Sequence, residues 1–225
     1  MARRATTSHP AGPRISDATV RRLSKYYRTL QHATEADKPT ISSEEIARLN
    51  GLTAAQVRKD LSFFGAFGRR GLGYNVTDLK KNISRILGLT KPWNVCLVGA
   101  GNIGTALVHF KQFSEQGFIF KLILDSDRSK WGDRINELVI QDFDRCERLI
   151  KEEKIKIAVV AVPASSAQKV VDRLVQAGVK AILNFAPITI LVPHGVHVRN
   201  ENMAIEIEAL SFALTSRNHR GHRAA

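Results

Sequence analysis

Apolar positions in the first part of the chain recur at the three- and four-residue spacing of helices. Residues 16–50 predict two helices, and Ser16 can cap the first of them. The apolar stripe of this first helix consists of Val20, Leu23, Tyr27 and Leu30. Ser42 and Glu45 form a capping box for the second helix, which ends at the turn dipeptide Asn50-Gly51.

A third helix follows this turn almost at once. Thr53 and Gln56, three residues apart, form its capping box, and the helix is expected to run to about Phe64 and to end at Gly65. Two helices joined by a tight turn that contains glycine are the helix-turn-helix arrangement.

A glycine-rich stretch and a fourth helix complete this part of the chain. Glycines frame Arg69 and Arg70, which suits the tip of a hairpin. Thr77 is expected to cap a helix that ends at Gly88. The apolar positions of this helix are Leu79, Ile83, Ile86 and Leu87. The dipeptide Lys91-Pro92 then marks a domain boundary.

From Asn94 onward the pattern changes to short apolar runs that alternate with helical stretches. The runs are Val95–Val98, Ile119–Leu124, Ile157–Val162 and Ala181–Leu183. This βαβ rhythm predicts a parallel sheet covered by helices. A last helix is expected from Met203 to about Leu214.

The predicted fold class is α/β, with a winged helix-turn-helix domain followed by a doubly wound, Rossmann-type parallel sheet. The boundaries are a disordered basic arm at 1–15, the DNA-binding domain at 16–90, the nucleotide-binding domain at 91–200, a dimerisation helix at 201–215 and a disordered tail at 216–225.

Charge is spread unevenly along the 225 residues, which carry a net charge of +13. Residues 1–90 contain 16 Lys and Arg against 7 Asp and Glu, whereas residues 91–225 contain 18 against 14. Such asymmetry favours a polyanion as partner of the first part. Charge alone is equally consistent with a solubility surface, so the decision depends on the motifs.

The two cysteines, Cys96 and Cys146, form neither a C-x-x-C pair nor a metal-ligand spacing. They indicate a reducing compartment and argue against a disulfide framework. No apolar run approaches the roughly 20 residues of a membrane helix. We therefore expect a cytoplasmic protein with no membrane partner and no metal site.

The third helix has the face of a DNA-recognition helix. On a helical wheel Val57, Leu61 and Phe64 share the core face, and Asp60 lies near its edge, where it is expected to cap or to pair with a basic residue. The opposite face carries Ala55, Arg58, Lys59 and Ser62. Arginine can donate two hydrogen bonds to guanine O6 and N7 in the major groove.

The arginines of the hairpin extend this surface. Arg69 and Arg70 are predicted to reach a minor groove, where the negative potential favours guanidinium, and Gly71 and Tyr74 are assigned to the same DNA-binding wing. A single charged pair such as Arg58-Lys59 is more often an ordinary solvated face. The capped helices, the turn, the arginine hairpin and the basic surplus together favour DNA binding.

A G-x-G-x-x-G loop follows the first strand of the second part and opens a helix. The loop comprises Gly99, Ala100, Gly101, Asn102, Ile103 and Gly104. Gly99 permits the tight turn, Gly101 lets the backbone approach a pyrophosphate, and Gly104 lets helix and strand pack closely. The phosphates would lie at the helix N-terminus, on free amides.

Asp125 ends the next strand, 21 residues after Gly104. An acid at this place accepts hydrogen bonds from the adenosine ribose and repels a 2′-phosphate, so NADH and NAD⁺ are predicted in preference to their phosphorylated forms. A plain turn acid, an empty Rossmann shell or a coenzyme A site are the alternatives. Val162-Pro163 and Asn184-Phe185 are candidate cleft walls, and ordinary loop chemistry explains them equally well.

Catalytic residues are not predicted. Of the histidines in the second part, His109 is expected to be exposed on a helix, and His194 and His197 flank a Pro-Gly loop without an acid at motif spacing. Little chain remains for a substrate domain. The alternative is a small NAD-dependent oxidoreductase with an appended DNA-binding head, which would consume NADH.

Four segments together resemble the bacterial redox-sensing repressors of the Rex family, over about residues 16–215. They are Gln56–Gly65, Gly71–Tyr74, Gly99–Gly104 and Gly178–Pro187. The resemblance implies a homodimer whose C-terminal helices are exchanged. Each helix packs between the partner's DNA-binding domain (the head) and its nucleotide-binding domain (the body). It also implies that NADH favours a closed dimer that cannot span a palindromic operator, whereas NAD⁺ competes with NADH and leaves binding to the double-stranded DNA intact.

The resemblance also implies a switch, and this chain departs from it at two positions. Family members carry a Tyr on the first Rossmann helix and an Asp before the C-terminal helix, and these two form a state-dependent couple; the matching residues here are Phe110 and Asn202. The family's arginine on the first helix is retained as Arg28. The usual Tyr–Asp hydrogen bond and Arg–Asp pair therefore cannot form in their usual way.

Overall fold

The computed structural model describes residues 15–65, 67–68 and 72–221, with side chains described as far as residue 216. The chain divides into two compact units, one ending at Lys91 and the other beginning at Pro92. The basic arm before residue 15 and the last four residues lie outside the described part. Each unit has a hydrophobic core of its own.

The first unit contains four helices and one pair of short strands among its described residues. They are α1 (Asp17–Glu35), β1 (Thr40–Ile41), α2 (Ser43–Asn50), α3 (Ala54–Ser62), β2 (Tyr74–Asn75) and α4 (Val76–Ile86). Strands β1 and β2 pair antiparallel. The side chains of Ser16, Ser42 and Thr53 each accept a hydrogen bond from the backbone amide three residues on, which confirms all three predicted N-caps.

The buried stripe of α1 differs from the predicted one. Leu23 and Leu30 are fully buried, but Val20 is 40% exposed, and Tyr26 instead of Tyr27 fills the core. A stripe through Tyr26 is equally helical in spacing, and the side chain is drawn inward because its hydroxyl donates to the buried Asp60. That partner is 34 residues away, so spacing within the helix could not reveal it.

Helix α4 is capped by Asn75, so the expectation that Thr77 caps it is wrong. The Asn75 side chain accepts from the backbone amide of Asp78 at 2.9 Å. Since β2 ends at Asn75, strand and cap share this residue and the helix begins directly at Val76. Its core positions Leu79 and Ile83 are buried as predicted.

The second unit alternates strands and helices. Its elements are β3 (Trp93–Val98), α5 (Asn102–His109), α6 (Lys111–Glu115), β4 (Phe118–Asp125), β5 (Arg134–Ile135), β6 (Leu138–Asp142), α7 (Cys146–Glu152), β7 (Ile157–Val160), α8 (Ala164–Gln176), β8 (Ala181–Asn184), β9 (His197–Asn200) and α9 (Met203–Gly221). Short 3-10 turns occur at Arg128–Lys130 and Phe143–Arg145.

The seven strands form one sheet in the order β5-β6-β4-β3-β7-β8-β9. Strand β5 pairs antiparallel with β6, and every other pairing is parallel. The strand order reverses between β3 and β7, as in a doubly wound fold, and ligands bind at the carboxyl ends of the strands at such a point. The predicted α/β fold class is confirmed.

Strands β5, β6 and β9 were not among the predicted runs. They lie at or next to the two edges of the sheet, where one side of the strand meets solvent and a continuous apolar run is not needed. The central strands are apolar because both faces of the sheet are covered, by two separate buried clusters. Cys96 and Cys146 lie in one of these clusters and are not paired.

Helix α9 begins at Met203 as predicted and continues past Leu214 to Gly221. All its residues from Met203 to Thr215 are exposed in the single chain. Within the described residues, no helix is long and apolar enough to cross a membrane, and no group of three or more His, Cys, Asp or Glu side chains is arranged to hold a metal ion.

Candidate DNA interface and cofactor site

The turn between α2 and α3 sets the recognition helix. Gly51 adopts a left-handed conformation with φ of +66° and ends α2. Thr53 then caps α3 two residues later, so a tight turn is all that separates the two helices. Val57 and Leu61 turn into the core, and Phe64 is half-buried beside it. This is the helix-turn-helix geometry expected from the capping boxes and the Asn50-Gly51 turn.

The outward face of α3 carries the residues predicted for it. Ala55, Arg58, Lys59 and Ser62 are all exposed. Two positive charges, a hydroxyl and a small side chain therefore lie on one continuous surface, opposite the buried face. Such a surface can donate to base edges and to phosphates.

Arg58 has an acidic partner that sequence reasoning missed. Its Nη1 lies 3.0 Å from Oε1 of Glu44 and 2.8 Å from Oγ of Ser43, at the first turn of α2. A hydrogen bond from its own backbone, and then Arg58, hold the pKa of Glu44 below its usual value. The signal available in the sequence was Glu44, the first of the two acids in Ser42-Ser43-Glu44-Glu45, which the capping box does not use.

Asp60 is fully buried on the inner side of α3 and forms the centre of a polar cluster. It accepts hydrogen bonds from Arg22, from the Tyr26 hydroxyl at 2.8 Å and from the Gln56 amide at 2.8 Å. Burial raises the pKa of Asp60, but the hydrogen bonds outweigh burial and the net pKa lies below its usual value. The prediction that Asp60 pairs with a basic residue is confirmed.

The wing is described in part. Arg69, Arg70 and Gly71 lie outside the described residues. Tyr74 was predicted on the DNA-binding wing, but this residue is 8% exposed and lies in the core of the first unit, called the head below, opposite Ile41 in the β1–β2 pair. Gly68 has a φ of +86°, and a Cβ there would lie 2.7 Å from the Tyr74 ring, so a glycine permits this close approach.

The glycine loop between β3 and α5 meets the requirements of a phosphate-binding turn. Gly99 has a φ of +98°, and a Cβ there would collide with the carbonyl oxygen of Ala161. A Cβ on Gly104 would collide with the carbonyl oxygen of Gly99, so this glycine allows α5 to pack on β3. Gly101 faces open space instead. The backbone is therefore bare where a pyrophosphate would approach it.

A cavity of about 850 Å³ opens at this loop, at the reversal of the strand order. Of the predicted cofactor residues, those that line it are Gly99, Gly101, Asn102, Ile103, Asp125, Val162 and Pro163. Ala100 and Gly104 are buried behind this surface. The carboxyl ends of β3, β4 and β7 thus converge on one site, as the fold rule for such sheets requires.

Asp125 is 7% exposed at the end of β4 and is held by backbone groups. Its Oδ2 accepts the amide of Ala100 and its Oδ1 the amide of Asp127, both at 2.8 Å. Lys130 lies beside the same carboxylate, and the Trp131 indole donates to the Asp125 carbonyl at 2.9 Å. Lys130 and Trp131 were not predicted, because they follow the strand in an irregular turn.

Asn184 and Phe185 are not among the residues that line the cavity. Asn184 is fully buried, and its amide nitrogen donates to the carbonyls of Ala186 and Ile188 and to Oδ1 of Asn200. Its own carbonyl accepts the amide of Glu201 at 2.8 Å. In this structure Asn184 therefore holds Asn200 and Glu201, the residues that lead into α9, against the sheet.

The three proposed switch residues are accessible to different degrees. Arg28 is exposed on α1 of the first unit. Phe110, predicted on the first Rossmann helix, lies directly beyond it, at the junction of α5 and α6, where it is 49% exposed and meets Phe113 edge-on. Asn202 caps α9, and its Oδ1 accepts the amide of Ala204 at 3.0 Å.

Two family descriptions match the chain. Residues 90–188 match "CoA binding domain", and residues 14–62 match "Putative DNA-binding protein N-terminus". The two matches together cover the helix-turn-helix region and the nucleotide-binding sheet, in the order that the structure shows.

Named relatives match nearly the whole chain. The redox-sensing transcriptional repressor Rex of Desulfitobacterium hafniense is 47% identical over 207 residues, which are 91% of this chain and 97% of that protein. Its namesake from Streptomyces coelicolor is 44% identical over 198 residues, 88% of this chain and 77% of that protein. Both are named as repressors and not as enzymes.

Solved structures agree over both units. RSP, a Rex-family repressor, has been crystallised in complex with β-NAD⁺ and operator DNA; that chain is 38% identical, with a TM-score of 0.88 over 93% of this chain and 97% of its own. RSP in complex with β-NADH is 36% identical, with a TM-score of 0.84 over 93% and 99%. The chain therefore belongs to the Rex family of redox-sensing transcriptional repressors.

Proposed function

We propose that this protein is a redox-sensing transcriptional repressor that binds palindromic operator DNA as a homodimer and is released when NADH binds its second unit. The observation that carries the proposal is the presence, in one chain, of an exposed basic recognition helix and a dinucleotide loop at a sheet reversal. The similar repressor RSP binds both ligand types, operator DNA with NAD⁺ in one crystal and NADH in another.

DNA binding is supported by the outward face of α3. Arg58 and Lys59 are the candidates for base readout, and Ala55 and Ser62 allow the helix to approach the groove closely. Arg69 and Arg70 remain the candidates for the wing on sequence grounds. A twofold dimer presents two such helices, so the matching site is a palindrome. Bacterial operators lie in the cytoplasm, so the proposal includes a cytoplasmic location.

The cavity supports NADH and NAD⁺ as the ligands. The open face of Gly101 leaves room for the pyrophosphate, and Asp125 lines the same cavity, where its carboxylate would accept from an adenosine ribose. The free amides at the start of α5 supply donors for the phosphates. These residues would hold the nucleotide, and the binding free energy would act on the equilibrium between two arrangements of the dimer.

Dimer formation is supported by the exposed apolar side chains of α9. These side chains, which are 57–73% exposed, belong to Met203, Ile205, Ile207, Leu210, Phe212 and Leu214. At 100° per residue, four of them share one side of the helix, and Ile205 and Phe212 lie on the opposite side. A helix with apolar groups on two opposite sides is buried only between two surfaces, as insertion between a partner's head and body provides.

One titration tests the proposed function. The operator DNA of the RSP complex is labelled, bound to the full chain, and challenged with NADH, NAD⁺ and NADPH in turn. NADH is expected to release the DNA at concentrations where NAD⁺ does not, and NAD⁺ is expected to raise the NADH concentration required. Binding of the operator without any response to NADH would reject redox sensing.

The family description of residues 90–188 favours one second candidate, a regulator that senses coenzyme A through the same cavity. Coenzyme A carries a phosphate on its ribose, which an unshielded Asp125 would repel. Adding coenzyme A to the same DNA titration separates the two candidates. Release of the operator by coenzyme A at concentrations where NADH is without effect would replace NADH sensing by coenzyme A sensing.

A further inference from the structure

The guanidinium of Arg58 is held on the outward face of α3 by two acceptors from the first turn of α2. Its Nη1 donates to Oγ of Ser43 at 2.8 Å and to Oε1 of Glu44 at 3.0 Å. The Ser43 hydroxyl in turn donates to Oε2 of Glu44 at 3.3 Å. Ser43 is buried, whereas the side chains of Arg58 and Glu44 are 55% and 68% exposed. One end of the contact is therefore anchored in the head, and the other is open to a ligand.

This contact uses one nitrogen of the guanidinium and leaves the opposite edge for DNA. Nη1 carries two hydrogens, and Ser43 and Glu44 supply two acceptors for them. Nε and Nη2 form the other edge of the same rigid plane. In the major groove guanine presents O6 and N7 as a pair of acceptors that matches such an edge. By fixing Nη1, Ser43 and Glu44 therefore restrict the plane in which Arg58 can meet a base.

Glu44 also offsets the positive charge that would draw Arg58 to phosphate. A hydrogen bond from its own backbone, and then Arg58, hold the pKa of Glu44 below its usual value, so the carboxylate is charged at neutral pH. Pairing reduces the attraction of Arg58 to the DNA backbone, but the N–H donors of the free edge remain. Phosphate binding depends on charge through the release of counterions, whereas base readout depends on the placement of donors. The pair therefore affects the two kinds of contact differently.

The neighbouring acid, Glu45, is paired with a different cation. Both of its carboxylate oxygens accept from Nζ of Lys38, at 2.6 Å, and its backbone amide donates to the capping hydroxyl of Ser42. Two adjacent carboxylates in one helical turn thus hold two different cations. The cation held by Glu44 is the one that lies on α3.

We propose that Glu44 is a specificity-determining residue, which holds Arg58 ready for a base edge and withholds its charge from phosphates. DNA of the wrong sequence then gains little from Arg58, so its affinity is lowered more than that of the operator. Discrimination of this kind acts against the wrong partner instead of adding a contact to the right one. The inference rests on the proposed function, because it takes α3 to be the helix that reads the operator.

The test compares binding of the full chain to the labelled operator and to a random duplex of equal length, without NADH and over a series of salt concentrations. Glu44→Gln keeps an acceptor for Arg58 and removes the charge. It is expected to lower the ratio of operator affinity to random-duplex affinity about fivefold, the upper range for an exposed ion pair. The slope of log affinity against log salt should steepen by about 1 for the random duplex, as for one added phosphate contact, and by less for the operator.

Glu45→Gln is the matched control, because it removes a negative charge from the adjacent residue. The Lys38 that it releases would contact phosphates of either duplex alike, so the ratio of affinities is expected to stay at the wild-type value. Ser43→Ala separates orientation from charge. It removes the anchored acceptor and keeps the Glu44 carboxylate, so it is expected to relax base preference in the operator without strengthening binding to the random duplex. Thermal unfolding checks that each variant is folded.

The outcomes separate the inference from the function on which it rests. A lower ratio of affinities in Glu44→Gln, together with a steeper salt dependence for the random duplex, supports the inference. It is overturned if Glu44→Gln strengthens binding to both duplexes alike, if the salt dependence is unchanged, or if Glu45→Gln lowers the ratio equally. A wild-type protein that does not prefer the operator to the random duplex overturns the proposed function, and the inference with it.

Discussion

The guanidinium of Arg22 and the carboxylate of Asp60 form a two-point ion pair that joins α1 to the recognition helix α3. Nε lies 2.6 Å from Oδ2, and Nη2 lies 2.7 Å from Oδ1. The Asp60 side chain is fully buried, whereas that of Arg22 is 22% exposed. Because a two-point contact fixes the relative orientation of the two side chains as well as their distance, the pair fixes the orientation of α3 against α1. It thereby sets the direction in which the outward face of α3 points.

Removal of Arg22 should destabilise the head strongly. Arg22→Met leaves the Asp60 carboxylate buried with two neutral donors, and the expected cost is about 3 kcal/mol, within the range for breaking a buried ion pair. The measurement is hydrogen exchange of the α3 amides in the full chain, which reports the free energy of opening. Lys25→Met, on the exposed side of α1, is the control, and equal protection in the two variants would contradict the prediction.

The same carboxylate predicts acid sensitivity of the head. The pKa of Asp60 in the folded protein lies below its usual value of about 4, so folding favours the charged form. Its contribution to stability is therefore complete above the unfolded pKa and is lost as the pH falls through the folded pKa. In wild type the free energy of opening at α3 should decrease at pH values below about 4. This part of the pH dependence should be absent from Asp60→Asn.

Local sequence patterns predicted the caps, the turn and the glycine loop, because each depends on residues within one or two helical turns. Ser42, Thr53 and Gly99 all occupy the predicted places. Residues whose environment is set by distant partners escaped prediction. The buried Tyr26 donates a hydrogen bond to Asp60, and the buried Asn184 donates one to Asn200. Because both partners are distant in sequence, the burial of Tyr26 and Asn184 could not be predicted from the pattern of their own segments.

Gly101→Val should abolish NADH binding and leave operator binding intact. Space is open in the protein where its Cβ would lie, and its φ of −86° suits any residue, so the substitution is tolerated by the fold. The side chain would instead occupy the place of the pyrophosphate. A fluorescence titration with NADH gives the affinity, and binding of the labelled operator shows that the variant is folded.

Gly104→Val is the contrasting variant, because its Cβ would meet the Gly99 carbonyl and damage the fold itself. Normal NADH affinity in Gly101→Val would rule out the loop as the phosphate site.

Arg58→Ala should weaken specific operator binding by about 1–3 kcal/mol and relax base preference at one position of each half-site. Since Glu44 holds Arg58 at 3.0 Å before DNA arrives, part of the arginine's interaction with DNA replaces an existing ion pair. Binding to a panel of operators, each with one base pair substituted, measures the preference. A uniform loss across the panel would mean that Arg58 contacts phosphate and not a base edge. Lys25→Ala, away from α3, controls for the loss of one positive charge.

The switch predicted from the family resemblance would involve a neutral residue at the start of α9. Asn202 caps the helix through Oδ1, and an aspartate caps a helix N-terminus equally well, so Asn202→Asp preserves the local structure. What the substitution adds is a charge. In the family pattern an acid at this position pairs with the arginine that corresponds to Arg28, whereas an amide offers that arginine a weaker, uncharged acceptor.

Asn202→Asp should therefore tighten operator binding and raise the NADH concentration needed for half-release. If Arg28 and residue 202 meet in the DNA-binding state, a carboxylate stabilises that state, and NADH must overcome the added free energy in addition to a coupling of about 1–3 kcal/mol. The measurement is operator affinity and half-release by NADH in wild type, in Asn202→Asp and in Asn202→Asp combined with Arg28→Met. Reversal of both changes in the double variant would assign them to the pair, because the acid then has lost its cation. If Asn202→Asp alters neither quantity, Asn202 lies outside the switch, and the match between this tail and the family pattern is wrong.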